Sequence, residues 1–262
     1  MNEQGLHIPP SIHPDERLDE VNEQIRLIQK VNGLTYGTDA FLLSAYARPS
    51  PRARAVDLGS GTGIIPLLLL ARQKAASVTA VEIQPAFADL IERNAALNGM
   101  SERLRPLLCD VRELKPEMLG GEVDLVLSNP PYMRTDAGKR NTHDEKYIAR
   151  HEVCGGIEDF CAAAGRILRY GGKFLCVWRP DRLSELMHAL HLAKLEPKRM
   201  TLVHADVKTE PSMLLMEAMK GAAPSLRVTP PLLLYRADGS ISGTRILTDE
   251  AQTIYDNCAF PE

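Results

Sequence analysis

From Ala53 onward, short apolar runs alternate with segments of helical period, and this alternation leaves few folds open. The order is ARAVDLG, a helix from Ile64, SVTAVEI, a helix from Pro85, RLRPLLCD, a short helix and VDLVLSNP. Strands separated in this way by helices build a parallel, doubly wound sheet. The pattern continues with a helix over about Ile157 to Tyr170, the strand GKFLCVW, the helix RPDRLSELMHALHLAKL and the strands PKRMTLVHA and PSMLLMEAMK. Only the stretch Asp206 to Ser212 joins the last two strands, whereas a parallel crossover needs a dozen residues or more. The sequence therefore predicts a seven-stranded, mostly parallel α/β sheet whose last strand runs antiparallel.

The remaining features narrow the class. With 262 residues, 44% apolar and 25% charged, the chain is large enough for one full core. Its longest apolar run, Ile64 to Ala71, contains a proline and falls far short of the ~18 residues that a spanning helix needs. The N-terminus is polar and acidic and lacks the pattern of a secretory signal, so the expected location is the cytosol. Cys109, Cys154, Cys161, Cys176 and Cys258 form no C-x-x-C pair and read as small buried residues. No repeat or long linker interrupts the chain. The expected organisation is an extension over residues 1–50 and the sheet domain over residues 51–262.

The formal charge of −3 argues at first against a nucleic-acid partner. Residues 1–23, however, carry six acids against Arg17, which leaves the rest of the chain at +2. Local basic patches can still hold a structured RNA.

Asp57-Leu58-Gly59-Ser60-Gly61-Thr62-Gly63 stands where the first strand gives way to its helix. Glycines there let the backbone turn sharply and approach a ligand, beside the unpaired N–H groups of a helix N-terminus. A tight βα turn explains them as well. Glu82, 19 residues past Gly63, ends the second strand, where a carboxylate can accept from both hydroxyls of a ribose. Together they favour an adenosine-containing cofactor. Dinucleotide enzymes use G-x-G-x-x-G for a pyrophosphate; the shorter G-x-G-x-G here fits S-adenosylmethionine, which has no phosphate. Asp57 is then expected to face the ammonium of the methionine end. Asp110 is placed to accept from the adenine amine and Val111 to offer its N–H to the ring, with Asp110 also suited to capping the short helix that follows.

Asn129-Pro130-Pro131-Tyr132 ends the fourth strand, beside the crevice where open α/β sheets bind ligands. The prolines hold the backbone extended, so the Asn129 amide oxygen and the Pro130 carbonyl can point at one spot. A planar NH2 group fits there. The exocyclic nitrogen of adenine is a poor nucleophile because its lone pair is delocalised, and two acceptors on its hydrogens orient that lone pair. Tyr132 supplies a face on which an extruded base can stack. No metal is needed, and His143, His151 and Glu152 match no standard metal spacing.

These motifs resemble the class I methyltransferase fold and, within it, the amino-group methyltransferases with an N-P-P-Y motif. Gly33-Leu34-Thr35-Tyr36-Gly37-Thr38-Asp39-Ala40-Phe41-Leu42-Leu43 is similar to the T-D-A-x-L-L segment that closes over the cofactor in RNA enzymes of this kind. By that likeness Tyr36, Thr38 and Asp39 line the methionine pocket, and Thr38 or Asp39 caps the helix through Ala47. The run Tyr147-Ile148-Ala149-Arg150-His151-Glu152 and the stretch Asp206 to Met213 extend the likeness to the bacterial YfiC-like family of valine-tRNA (adenine-N6)-methyltransferases. The resemblance implies methylation of the adenine just 3′ of the anticodon.

Residues 132–151 carry Arg134, Lys139, Arg140, Lys146 and Arg150 against three acids, interleaved with Tyr132 and Tyr147. Basic residues beside aromatics suit the unpaired bases of an anticodon loop, and Lys208 adds charge between the last two strands. A protein glutamine N5-methyltransferase presents the same NH2 to the same acceptors, but such enzymes carry a helical domain ahead of the fold. A DNA adenine methyltransferase usually needs an added recognition domain. A non-catalytic RNA-binding protein on the same fold is the rival of a different class, and the intact motif argues against it.

Overall fold

Along three neighbouring strands, Ala55, Leu125, Leu127, Leu175 and Val177 alternate with Val56, Leu58, Val126, Phe174, Cys176 and Trp178. This period of two buries both faces of one central sheet. The computed structural model describes residues 11–32, 36–131, 155–241 and 244–261, without the side chains of 237–241 and 244. In chain order the elements are β1 (Glu16–Asn22), β2 (Ile25–Lys30), α1 (Thr38–Tyr46), β3 (Arg54–Leu58), α2 (Ile64–Ala71), β4 (Ser77–Glu82), α3 (Pro85–Leu97), β5 (Leu104–Leu108) and β6 (Val123–Ser128). After them come α4 (Ile157–Ile167), β7 (Leu168–Trp178), α5 (Leu183–Leu192), β8 (Leu195–His204), β9 (Pro211–Lys220), β10 (Arg227–Val228), β11 (Leu232–Leu233), β12 (Tyr235–Ile241), β13 (Thr244–Leu247) and α6 (Asp249–Asn257). No helix among the described residues is long and apolar enough to cross a membrane.

The sheet order is β10-β8-β9-β7-β6-β3-β4-β5, with β11 also on β8. Strands β3 to β7 are parallel, and β9 runs antiparallel between β7 and β8, as the short connection predicts. Two differences from the sequence reading stand out. Among the described residues the sheet has nine strands, because the two-residue strands β10 and β11 extend the β8 edge in parallel. Segments so short carry no readable periodicity. The helix expected to reach Tyr170 stops at Ile167, and β7 begins directly at Leu168. Gly171, at φ +73°, lies in the register shift that separates the Leu168 pairing from the Lys173 pairing.

The chain order changes direction between β3 and β6. From β3 the chain winds outward through β4 to β5, then returns to β6 on the other side. The strand ends at that reversal form the crevice where such sheets bind ligands.

The N-terminal hairpin β1-β2 docks against α3 by side chains that act as a neighbouring strand. The Asn94 amide accepts from Ile28 N (2.7 Å) and donates to Ile28 O (3.0 Å); one helical turn later, Asn98 accepts from Arg26 N and donates to Arg26 O. Residues four apart on a helix face thus meet residues two apart on a strand edge. Glu16, buried, is gripped by both terminal nitrogens of Arg93 at 2.7 Å and by Lys30 at 3.1 Å. These bonds hold its carboxyl well below the usual range. The Asn94 Nδ2 also donates to Thr62 O, so the same side chain ties the hairpin to the glycine loop. Asn94→Ala is expected to cost about 2–4 kcal/mol in chemical denaturation, since it strands three buried backbone groups. A loss below about 1 kcal/mol would show that the hairpin docks by other means.

Candidate active site

Register places the predicted motifs side by side. Leu58 of β3 pairs with Ser128 of β6 and with Val81 of β4, and Glu82 of β4 pairs with Leu108 of β5. Gly59, Asn129, Glu82 and Asp110 therefore share a single edge, at the carboxyl ends of parallel strands. Ser128 adds a bond from its hydroxyl to Leu58 O at 2.9 Å.

The loop after β3 needs its glycines. Gly59, Gly61 and Gly63 have φ of +72°, +56° and +83°, the left-handed region that a Cβ disfavours. A Cβ on Gly59 would also lie 3.2 Å from the Phe160 ring of α4, whereas one on Gly61 would meet nothing within 4 Å among the described residues. Gly61 thus borders open space. Gly59→Ala is expected to destabilise by about 2–3 kcal/mol and Gly61→Ala by about 1–2 kcal/mol. Equal losses in urea unfolding would contradict the contact with Phe160.

Asp57 is fully buried. Its Oδ2 accepts from the Ser60 hydroxyl at 2.6 Å, while its Oδ1 is buried without a partner among the described residues. Burial pushes the carboxyl up to about 7, against the Ser60 bond, and the nearby Glu82 charge adds to the rise. Glu82, also buried, accepts from Gly61 N at 2.9 Å and from Ile83 N and Gln84 N at 3.0 Å. Burial raises its carboxyl too, although the three amides pull the other way. Glu82 therefore shapes the glycine loop as well as facing the crevice edge.

Asp110 lies two residues past the end of β5, and the short helix expected after it is a 3-10 helix over Pro116–Leu119 with Lys115 at its N-cap, so Asp110 closes a turn ahead of that helix and does not cap it. Its carboxylate closes that turn by accepting from Arg112 N and pairs with the Arg112 guanidinium, which holds it below the usual range. Val111 is buried beside it.

Helix α1 contributes the third wall. Its N-cap is Gly37, with no side-chain cap, so neither Thr38 nor Asp39 plays the capping role expected of it. Thr38 instead accepts from the Tyr255 hydroxyl of α6 at 2.9 Å, and the Tyr36 ring packs 6.0 Å from Phe41. The two oxygens of Asp39 are divided, Oδ1 accepting from Ala40 N at 3.0 Å and Oδ2 from Asn129 Nδ2 at 2.7 Å. Lys74 fixes the other end of α1 by donating to the carbonyls of Ser44, Ala45 and Ala47. Asn129 and Pro131 are half-buried and Pro130 is buried. Lys208 is exposed on the β8–β9 connection, at the same edge of the sheet. Tyr132, Arg134, Lys139, Arg140, Lys146 and Arg150 lie outside the described residues.

Sequence reasoning missed Ser60, Asn94, Phe160 and Ser128. Each acts through a backbone group, a ring or a neighbouring carboxylate; Ser60 lies inside the glycine motif at a position open to any residue, and Asn94 and Phe160 belong to no recognisable spacing. Chemically, the assembled edge offers a buried carboxylate oxygen lacking a donor, a loop open at Gly61, and a primary amide followed by two prolines.

Comparison with known proteins follows the same lines. The family model of the methyltransferase small domain matches residues 32–193. The tRNA1(Val) (adenine(37)-N6)-methyltransferase of Porphyromonas gingivalis is 31% identical over 187 residues, 69% of this chain and 72% of that protein. The protein of the same name from Aliivibrio salmonicida is 26% identical over 219 residues, 79% of this chain and 86% of that protein. Among solved structures, a predicted O-methyltransferase of Agrobacterium tumefaciens is similar in fold with a TM-score of 0.66 and 23% identity, covering 85% of this chain and 98% of that one. A glycine loop, an acid closing the next strand and an Asn-Pro-Pro on the adjoining strand are joined here to a matching family model and to relatives of one printed name. The chain belongs to the methyltransferase small domain family, beside the curated tRNA1(Val) (adenine(37)-N6)-methyltransferases.

Proposed function

We propose that this chain methylates the exocyclic N6 of an adenine in tRNA, with S-adenosylmethionine as donor, and that the base is adenine 37 of a valine tRNA. The observation that carries the reading is the pairing of Leu58 with Ser128, which sets Asn129 and Pro130 next to the glycine loop. The donor fits the residues present. The Asp57 Oδ1, without a partner among the described residues, suits the ammonium of its methionine end, the space at Gly61 suits the chain that follows, and Glu82, at the end of β4, is proposed for the ribose hydroxyls. Asp110 and Val111 are proposed for the adenine ring, and Tyr36 and Thr38 for the methionine side. When bound, S-adenosylmethionine supplies a methyl carbon on a sulfonium.

The chain's own residues do the rest. The Asn129 amide oxygen and the Pro130 carbonyl accept the two hydrogens of the adenine amine, so the nitrogen lone pair is aimed and its pyramidalisation favoured. Tyr132 stacks the extruded base. The acceleration comes mainly from positioning, and the proton leaves to water after the bond forms. Lys208, with Arg134, Lys139, Arg140, Lys146 and Arg150, is proposed to hold the anticodon stem-loop in the cytosol. Residues 1–50 serve as the closing segment and 51–262 as the transferase domain.

The test supplies labelled S-adenosylmethionine with unmodified total tRNA, genomic DNA or release factors and identifies the product. N6-methyladenosine in tRNA is expected. Label in protein alone would overturn the substrate.

A further inference from the structure

A carboxamide has two ends of almost equal shape, one a donor and one an acceptor, and its neighbours decide which end faces which way. Asn129 meets this choice with a carboxylate oxygen, Asp39 Oδ2, at 2.7 Å from its Nδ2. A carboxylate oxygen only accepts, so the NH2 end of Asn129 turns toward α1 and Oδ1 turns the other way. Reversed, the amide would present a donor to an adenine amine that is itself a donor, and the grip would become a repulsion.

The structure gives Asp39 little freedom to do otherwise. Its other oxygen accepts from Ala40 N, in the first turn of α1. Gly37 leaves room for it, since a Cβ there would lie 2.7 Å from Asp39 Oδ1. The helix that carries it is fixed at its start by Tyr255 on Thr38 and at its end by Lys74. The bond to Asn129 spans 90 residues of sequence and joins α1 to the end of β6.

We propose that Asp39 is a positioning residue that selects the acceptor end of the Asn129 amide for the adenine amine. The proposal rests on the reading of Asn129 as an acceptor of that amine, and it gives the T-D-A segment a part in the chemistry beyond closing over a cofactor.

The test is a pair of exchanges. In Asp39→Asn the Ala40 N–H claims the single remaining oxygen, which leaves an NH2 facing Asn129 and turns its amide over. In Asn129→Asp two carboxylates are forced together. The double variant combines Asp39→Asn with Asn129→Asp. The new amide at position 39 then keeps its oxygen on Ala40 N and donates to the new carboxylate at position 129, whose second oxygen again faces the base as an acceptor. We expect kcat at saturating S-adenosylmethionine to fall about 10- to 100-fold in Asp39→Asn and about 100-fold or more in Asn129→Asp. The double variant should recover to within about tenfold of wild type, a coupling that independent sites do not show.

A double variant no better than the worse single one, or a loss in Asp39→Asn confined to cofactor affinity, would overturn the proposal. A second readout needs no substrate. The Asn129 side-chain amide signal, assigned by its loss in Asn129→Asp, should move in Asp39→Asn; an unmoved signal would also overturn it. Wild-type protein that leaves tRNA unmethylated would instead sink the proposed function, and the amide signal keeps the two failures apart.

Discussion

Asn129→Ala is expected to lower kcat for tRNA methylation by about 10²- to 10³-fold while moving the KM for tRNA by less than about threefold. In the proposed mechanism the amide oxygen at this position acts on the amine as its geometry changes from planar toward tetrahedral, so its loss should raise the barrier more than it weakens the bound substrate. The Pro130 carbonyl remains in the variant, which is why some activity should survive. Fixed-time assays at saturating tRNA and cofactor give kcat, and a titration of tRNA gives KM. A variant with wild-type kcat and a raised KM would show that Asn129 binds substrate without assisting transfer.

Asp57→Asn should move stability and cofactor affinity in opposite directions. In the folded protein the Asp57 carboxyl is raised to about 7 by burial, whereas in the unfolded chain it titrates near ~3.9. The folded state therefore holds a proton that the unfolded state releases. The stability tied to this group is fully present below about pH 4 and is lost as pH rises toward 7, on the order of 4 kcal/mol in all. Asparagine removes the penalty. At pH 8 the variant is expected to melt roughly 5–10 °C higher than wild type, and at pH 4 the two should nearly coincide. The same change takes away the charge proposed to face the methionine ammonium, so affinity for S-adenosylmethionine should fall about 30-fold or more. In wild type, binding below pH 7 should release a proton, visible as a buffer-dependent heat in calorimetry. Unchanged cofactor affinity in Asp57→Asn would remove Asp57 from the site, and a lower melting temperature at pH 8 would show that its charge stabilises the fold.

Much of this is readable in the sequence because the governing rules are local. Seven strands, their order of appearance and the antiparallel turn of β9 follow from apolar runs and from one short connection. Gly59, Gly61, Gly63, Glu82 and Asn129 are marked by spacing and by their places at strand ends. What escapes depends on contacts across long stretches of chain. The strand edge of β2 is completed by Asn94 and Asn98, more than sixty residues away, and a polar helix face gives no sign of such a role. Ile167-Leu168-Arg169-Tyr170 continues a helical period, so the sequence places the start of β7 too late; the break comes at Leu168, whose backbone is already extended at φ −70° and ψ 140°. Asp110 looks like a helix cap because its residue type suits one, yet Arg112 two positions on offers both an amide and a guanidinium, and the turn wins. The bond between Asp39 and Asn129 joins two motifs that the sequence shows separately. A local bond from Asp39 to the start of its helix is the readable expectation, and its second oxygen takes a partner 90 residues away.

The account centres on two neighbouring acceptors at the end of β6 that grip an adenine amine. A crystal structure of the protein with S-adenosylhomocysteine and the valine anticodon stem-loop tests this most directly. It should show adenine 37 out of its stack, with N6 about 3 Å from both Asn129 Oδ1 and Pro130 O. An adenine 37 still stacked in its loop, or a corner at Asn129 and Pro130 filled by the protein's own side chains, would contradict it.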